Sequence, residues 1–377
     1  MIKCERMLSE FFELVKISCP SRDERKVADL LFSRLEKLGL KVEEDQAGKV
    51  IAGNTGNLIG RLAGNVPGAP TVLFTAHMDC VEPCSGIEPV IDKGIIRSAG
   101  NTILGSDDKA GVVAIMEALR VITEKGLPHG DIQIVFTVSE EAGLDGSKHV
   151  EQSKLKADFG YALDSSGSPG EIITKAPGQN QINVVVRGKT AHAGVAPEEG
   201  INAIVVAGKA LARIKQGRID EETTANIGVI KGGQATNIVP DKVELACEAR
   251  SRNMDKLAAQ TEHMKVVFEE TAKENGCWAE VAVETAYGSF VLEDSSPVVA
   301  LAVKAAESIG LEPVLKATGG GSDANFFNSY GIPTAVLGVG MSKVHTTEEY
   351  IKEVDLYKAG EYVLAIIKAA AEQNKTR

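Results

Sequence analysis

Residues 71–76 read Thr-Val-Leu-Phe-Thr-Ala, a short run without the polar alternation of a strand that keeps one face in water. Such a run fits a strand buried on both faces, which implies a parallel sheet covered by helices on each side. The neighbouring patterns agree. Leu8, Phe11, Phe12 and Val15 carry a helical period, and Ser21-x-x-Glu24 reads as a capping box that opens a second helix running to Leu38. A long helix is expected from Lys109 to Thr123, a strand over Ile132–Val138 and another over Phe159–Leu163. Strands alternating with helices predict an α/β fold built on a mainly parallel sheet.

The pattern changes at Pro177-Gly178. Strands are expected over Ile182–Gly188, Ala225–Lys231, Lys242–Ala249 and Trp278–Glu284, with helices over Asn202–Lys215 and Asp255–Asn275. That order, βαββαβ, is a ferredoxin-like α+β unit. After Ser295-Ser296-Pro297 the earlier alternation resumes: a helix to Ile309, another after Ser322, a strand at Pro333–Val339 and a C-terminal helix. The 377 residues therefore read as one large domain in two pieces, 1–176 and 287–377, with a smaller domain, 177–286, inserted into it.

Composition narrows the partners. Lys and Arg number 41 against 52 Asp and Glu, a net charge of −11, and an acidic surface does not suit nucleic-acid backbones or anionic membranes. No apolar run reaches the length of a membrane span, and the first residues lack the apolar core of a signal peptide. The six cysteines are sparse enough to read as reduced thiols, so a cytoplasmic location is expected.

Five clusters carry chemistry. His77-Met-Asp79 follows the buried run directly, and residues two apart on a strand share a face, so Asp79 can fix the tautomer of His77. Gly105-Ser-Asp107-Asp108-Lys109 precedes a helix, where two carboxylates could serve only the helix dipole. Ser139-Glu140-Glu141 and Leu163-Asp164-Ser165 each close an apolar strand, and Lys343-Val-His345-Thr-Thr-Glu348 follows another. Strand C-termini are where α/β sheets gather ligands. Together the clusters supply two histidines and several carboxylates, the ligand set for two divalent ions bridged by a carboxylate. With His77, Asp107 and Asp164 on one ion and Asp107, Glu141 and His345 on the other, Glu140 is left free to act as a general base. Cys80 and Cys84 could suggest a zinc site but read as buried thiols, because the carboxylates around them suit a harder site. His129, His149 and His263 lack such neighbours and read as surface residues.

In these motifs the chain resembles the dinuclear zinc exopeptidases, a family that includes peptidase T, carboxypeptidase G, aminoacylase-1 and the acetylornithine and succinyl-diaminopimelate deacylases. The inserted segment adds Gly188-Lys-Thr-Ala-His192-Ala-Gly194 and Thr236-Asn237-Ile-Val-Pro240 to the likeness. The Glu-Glu-Ala-Gly-Leu and Ser-Asp-Asp-Lys-Ala-Gly wording is most similar to the peptidase T branch, while the segment before His77 departs from it.

The resemblance implies two Zn2+ per subunit, with Co2+ or Mn2+ as substitutes, held by the ligands above, and Asp79 orienting His77. It implies a cis peptide between Asp107 and Asp108, and an inserted domain that serves as a lid and as the contact of a homodimer. His192 would then reach the partner subunit's site to hold the oxyanion, and Asn237 and Arg250 would contact substrate. The expected reaction is release of the N-terminal residue from short peptides, tripeptides in particular. A deacylase or carboxypeptidase using the same centre is the alternative enzyme, and a metal-stabilised binding protein the alternative of another class.

Overall fold

A computed structural model describes residues 1–373, which divide into two compact units. The first holds residues 1–174, 292–317 and 322–373; the second holds 175–291 and 318–321.

The first unit is organised by four parallel strands, in spatial order Ile132–Thr137, Val72–His77, Phe159–Ser165 and Thr334–Gly338. Every residue of the first two is buried, as the unbroken apolar runs require. Antiparallel strands extend the sheet outward: Leu58–Leu62 and then Lys41–Glu44 beyond Ile132–Thr137, and Glu171–Ala176 beyond Thr334–Gly338. These outer strands have no counterpart in the sequence reading, because they are short and only partly apolar. Phe74 stacks on Tyr161 with ring centroids 5.8 Å apart, and the tyrosine hydroxyl donates to the Val298 carbonyl at 2.7 Å. The helix Ser106–Lys125 is buried along most of its length and packs against the sheet and against the C-terminal helix Glu353–Ala371. Buried Glu10 ties three helices together by accepting from Arg34 and from Arg120.

A small four-stranded sheet runs in the order Met341–Ser342, Tyr350–Lys352, Ile95–Ser98, Pro89–Asp92. Its first pair closes the loop 343–349, which carries His345.

The expected capping box at Ser21 and Glu24 does not form. The helix runs over Arg25–Lys37 without a side-chain cap. The Ser21 hydroxyl instead donates to Asp79 at 2.6 Å, and the Glu24 carboxylate turns to Arg22 and Ser139. His129 is buried rather than exposed, its ring Nδ1 lying 2.8 Å from the Gly130 carbonyl oxygen.

The second unit has one antiparallel sheet in the order Gly217–Arg218, Thr223–Gly232, Lys242–Ser251, Gly178–Arg187, Trp278–Tyr287, with helices Ala203–Arg213 and Met254–Glu274. Leaving aside the two-residue strand at the edge, this is the βαββαβ order of a ferredoxin-like fold. Burial alternates along Gly178–Arg187 and Lys242–Ser251, so a single face of the sheet is covered. Ile182, Val184, Val186, Leu257, Met264 and Phe268 form its core. Asn202 and Asn253 cap the two helices, each side-chain oxygen accepting two N–H groups of the first turn. Among the described residues, no helix is long and apolar enough to cross a membrane.

Candidate metal centre

The four parallel strands end at the same edge of the sheet, and the sequence clusters meet there. His77 is the last residue of its strand, Glu140 and Glu141 follow Thr137 by three and four residues, and Asp164 lies near the end of the third strand. Asp107 comes from the helix that starts at this edge. The regular helix begins only after Asp108, since Asp107 (φ −83°, ψ 102°) and Asp108 (φ −120°, ψ 40°) are not helical, and the peptide between them is cis.

This backbone sends the two adjacent carboxylates in different directions. Asp108 accepts from the Gly111 N–H at 3.0 Å and the His77 N–H at 3.3 Å, so it serves the start of the helix. Gly111 is required for that approach, because a Cβ there would lie 2.5 Å from the Asp108 carboxylate and 2.6 Å from the Leu163 carbonyl oxygen. Asp107 faces the cluster. Its Oδ1 lies 3.1 Å from His77 Nε2 and its Oδ2 3.4 Å from His345 Nε2, so one carboxylate spans both histidines. His345 Nε2 is also 2.9 Å from Glu141.

Ligand atoms of His77, Asp107 and Asp164 lie within 4.8 Å of one another, as do those of Asp107, Glu141 and His345. These are the two sets expected from the sequence, with Asp107 common to both. His77, Glu140 and Glu141 form a third such group.

Asp79 organises the site from beneath. It is fully buried, and its Oδ1 lies 3.3 Å from His77 Nδ1. The same carboxylate accepts the Glu140 N–H at 3.0 Å, the Glu141 N–H at 3.2 Å and the Ser21 hydroxyl. Ser139, just before the two glutamates, has a left-handed backbone (φ 50°), and Glu24 Oε1 holds it by accepting its N–H at 2.9 Å. Lys109 is also fully buried; its ammonium donates to the Met78 carbonyl at 2.6 Å and to Cys80 Sγ at 3.2 Å. Cys80 and Cys84 are both buried free thiols.

The charge balance suits cations. Burial, and then the charge of Asp164, push Glu140 well above the usual carboxylate range. Burial and then Asp107 do the same to Asp164. Burial opposes charge on His77, but Asp107 and Asp79 outweigh it and lift the imidazole well above its ordinary value. His345 is raised to about 10 by Asp107 and Glu141. Without metal, protons hold this many acids together; divalent ions would replace them, because carboxylate and neutral imidazole are the forms that ligate. The donor set, oxygen and imidazole nitrogen without thiolate, fits Zn2+, Co2+ or Mn2+.

The remaining predicted residues lie in the second unit. The backbones of His192 and Asn237 are brought side by side: the Ala193 N–H donates to the Asn237 carbonyl at 3.0 Å, and His192 bridges to Ile238. Both side chains are exposed. Arg250 is already engaged, its guanidinium donating twice to Glu248 at 3.0 Å. Ser21 and Glu24 were hidden from the sequence reading by their resemblance to a capping box. Asp323, buried with its Oδ2 accepting the Thr137 hydroxyl, follows Gly319-Gly-Gly321-Ser322, where no local pattern singles it out.

A family model described as peptidase family M20/M25/M40 matches residues 73–369. The chain belongs to this peptidase family. It is 48% identical to aminopeptidase PepT from Bacillus cereus, covering 98% of this chain and 100% of that one with a TM-score of 0.92. It is 44% identical to a tripeptidase from Staphylococcus aureus, covering 99% and 100% with a TM-score of 0.96. Peptidase T of Escherichia fergusonii is 26% identical over 98% of this chain and 100% of its own length. The protein is therefore a peptidase on the M20 fold, with residues at the strand ends able to hold metal.

Asp79→Asn should weaken metal binding about 10–100-fold, the usual cost of losing an outer-shell partner. Equilibrium dialysis against a competing chelator measures it, and an unchanged affinity would remove Asp79 from the site. Glu24 gives a pH prediction. Burial, then the charge of Asp79, raise its carboxyl from 4.5 to about 7. An acid whose folded pKa is raised stabilises fully below its unfolded value, and that stability is lost as pH rises through about 7. Between pH 5 and 8 the metal-free protein should lose about 1–3 kcal/mol more in urea unfolding than Glu24→Gln does.

Proposed function

We propose that the protein is a dinuclear metallo-aminopeptidase that releases the N-terminal residue from short peptides, tripeptides in particular. The observation that carries this reading is the shared carboxylate: Asp107 faces His77 with one oxygen and His345 with the other, and Asp164 and Glu141 complete a group on each side. The names of the B. cereus and S. aureus relatives, an aminopeptidase and a tripeptidase, support the choice of substrate.

His77, Asp107 and Asp164 would hold one ion and Asp107, Glu141 and His345 the other, with Zn2+ as the expected metal. When bound, such ions would supply Lewis acidity, which lowers the pKa of water towards neutrality and draws charge onto a peptide carbonyl oxygen. Glu140 is the protein's own contribution to proton transfer. It lies in the group with His77 and Glu141 but is not needed by either ligand set. Its carboxylate takes the proton of the attacking water and passes it to the departing amine nitrogen, which leaves poorly unless protonated. Asp79 keeps His77 in one tautomer and holds the Glu140-Glu141 turn in place by its two N–H groups.

His192 is assigned to the developing oxyanion and Asn237 to the peptide backbone of the substrate. Arg250, whose guanidinium already donates to Glu248, is assigned to the substrate carboxylate. The inserted unit is assigned a lid role, with a homodimer formed through it. Residues 226–232 of the strand Thr223–Gly232 extend beyond the pairing with Gly217–Arg218 and expose Val229 and Ile230, a free edge that a second copy can continue. A deacylase or carboxypeptidase with the same centre is the competing reading.

A free-amino tripeptide, its N-acetylated form and an N-acyl amino acid, each offered to zinc-loaded protein with and without chelator, separate these activities. Cleavage of the free tripeptide alone, abolished by chelator, is the expected result; cleavage confined to the acylated compounds would establish a deacylase. Glu140→Ala should keep its metal content and lose turnover by at least about 100-fold, and unchanged turnover would remove it as the base.

A further inference from the structure

Glu349 lies four residues beyond His345, in the loop closed by Met341–Ser342 and Tyr350–Lys352, and its side chain is buried. Its Oε2 accepts the N–H groups of Leu104 and Gly105, both at 2.8 Å. Its Oε1 accepts the Ser106 hydroxyl at 2.6 Å and the Asp107 N–H at 3.1 Å. Four consecutive residues ending at Asp107 thus hang on one carboxylate. They lie just ahead of the regular helix, where N–H groups have no partner within the helix itself.

We infer that Glu349 is a positioning residue of the metal centre: it fastens the segment bearing the shared ligand Asp107 to the loop bearing His345, so that the two ligands keep a fixed separation. The inference rests on the two-ion reading above. Asp79 cannot do this work, because its carboxylate reaches His77, Glu140, Glu141 and Ser21 but neither the Leu104–Asp107 segment nor the His345 loop.

Glutamine at this position tests the idea sharply, because it keeps the shape but replaces one oxygen with NH2. The Oε2 position faces two backbone N–H groups and must remain an oxygen. The NH2 therefore takes the Oε1 position, where the Ser106 hydroxyl can reverse and accept while the Asp107 N–H cannot. The loss falls on the shared ligand. Glu349→Gln should need about 10–100-fold more Zn2+ or Co2+ to reach two ions per chain, with both sites weakened because Asp107 serves both. Turnover of a tripeptide should recover as metal is raised.

Glu10→Gln is the control for loss of a buried carboxylate as such, since Glu10 contacts only Arg34 and Arg120 among these groups. Ser106→Ala is the milder variant should Glu349→Gln fail to fold; it removes one of the four donors, and about a threefold weakening is expected. The inference is overturned if Glu349→Gln, or failing it Ser106→Ala, gives the wild-type metal isotherm, or if Glu10→Gln shifts it equally. Wild-type protein that binds no metal would instead sink the two-ion reading itself.

Discussion

The carboxylate of Asp107 stands between two imidazoles, 3.1 Å from His77 and 3.4 Å from His345, and much of the first unit exists to keep it there. Both histidines and the acids beside them are delivered by different strand ends and loops, so no local interaction can bring them together. The parallel sheet does so, because its strands all finish at one edge. The buried strand ending at His77 and the buried helix beginning after Asp108 are its nearest supports.

Concentrated buried charge has a structural cost, and the protein meets it with hydrogen bonds rather than with arginines. Asp79 is tied by two backbone N–H groups and the Ser21 hydroxyl, Glu349 by three backbone N–H groups and the Ser106 hydroxyl, and Glu24 by the N–H groups of Arg22 and Ser139. The bonds from Leu104 to Asp107 and from Ser139 to Glu141 fix the backbone segments that carry Asp107, Glu140 and Glu141. Buried carboxylates need such partners, and the partners in turn hold the ligands within reach of a common ion. The one buried cation among these supports, Lys109, donates to a carbonyl and a thiol beneath the strand end, so the carboxylates facing the metal positions are left free to ligate.

The four central strands, the inserted βαββαβ unit and every proposed metal ligand were legible in the sequence, because apolar runs and the acids that follow them are local signals. The supports were not. Ser21 and Glu24 carry the spacing of a capping box, and only the folded chain shows that they face Asp79 and Ser139 instead. Glu349 adjoins an exposed glutamate, Glu348, in a loop, and nothing in the local pattern says which of the two is buried. Its partners lie more than two hundred residues away in the chain. Arg250, a substrate contact by resemblance, is paired with Glu248, a neighbour two residues away on the same strand. The outer antiparallel strands were missed because short, half-polar segments carry little period.

A zinc-soaked crystal measured on both sides of the zinc absorption edge tests the shared-carboxylate centre most directly. Two anomalous peaks per chain are expected, one among His77, Asp107 and Asp164 and one among Asp107, Glu141 and His345, both within bonding distance of Asp107. A single peak, or a peak at Cys80 and Cys84, would contradict it.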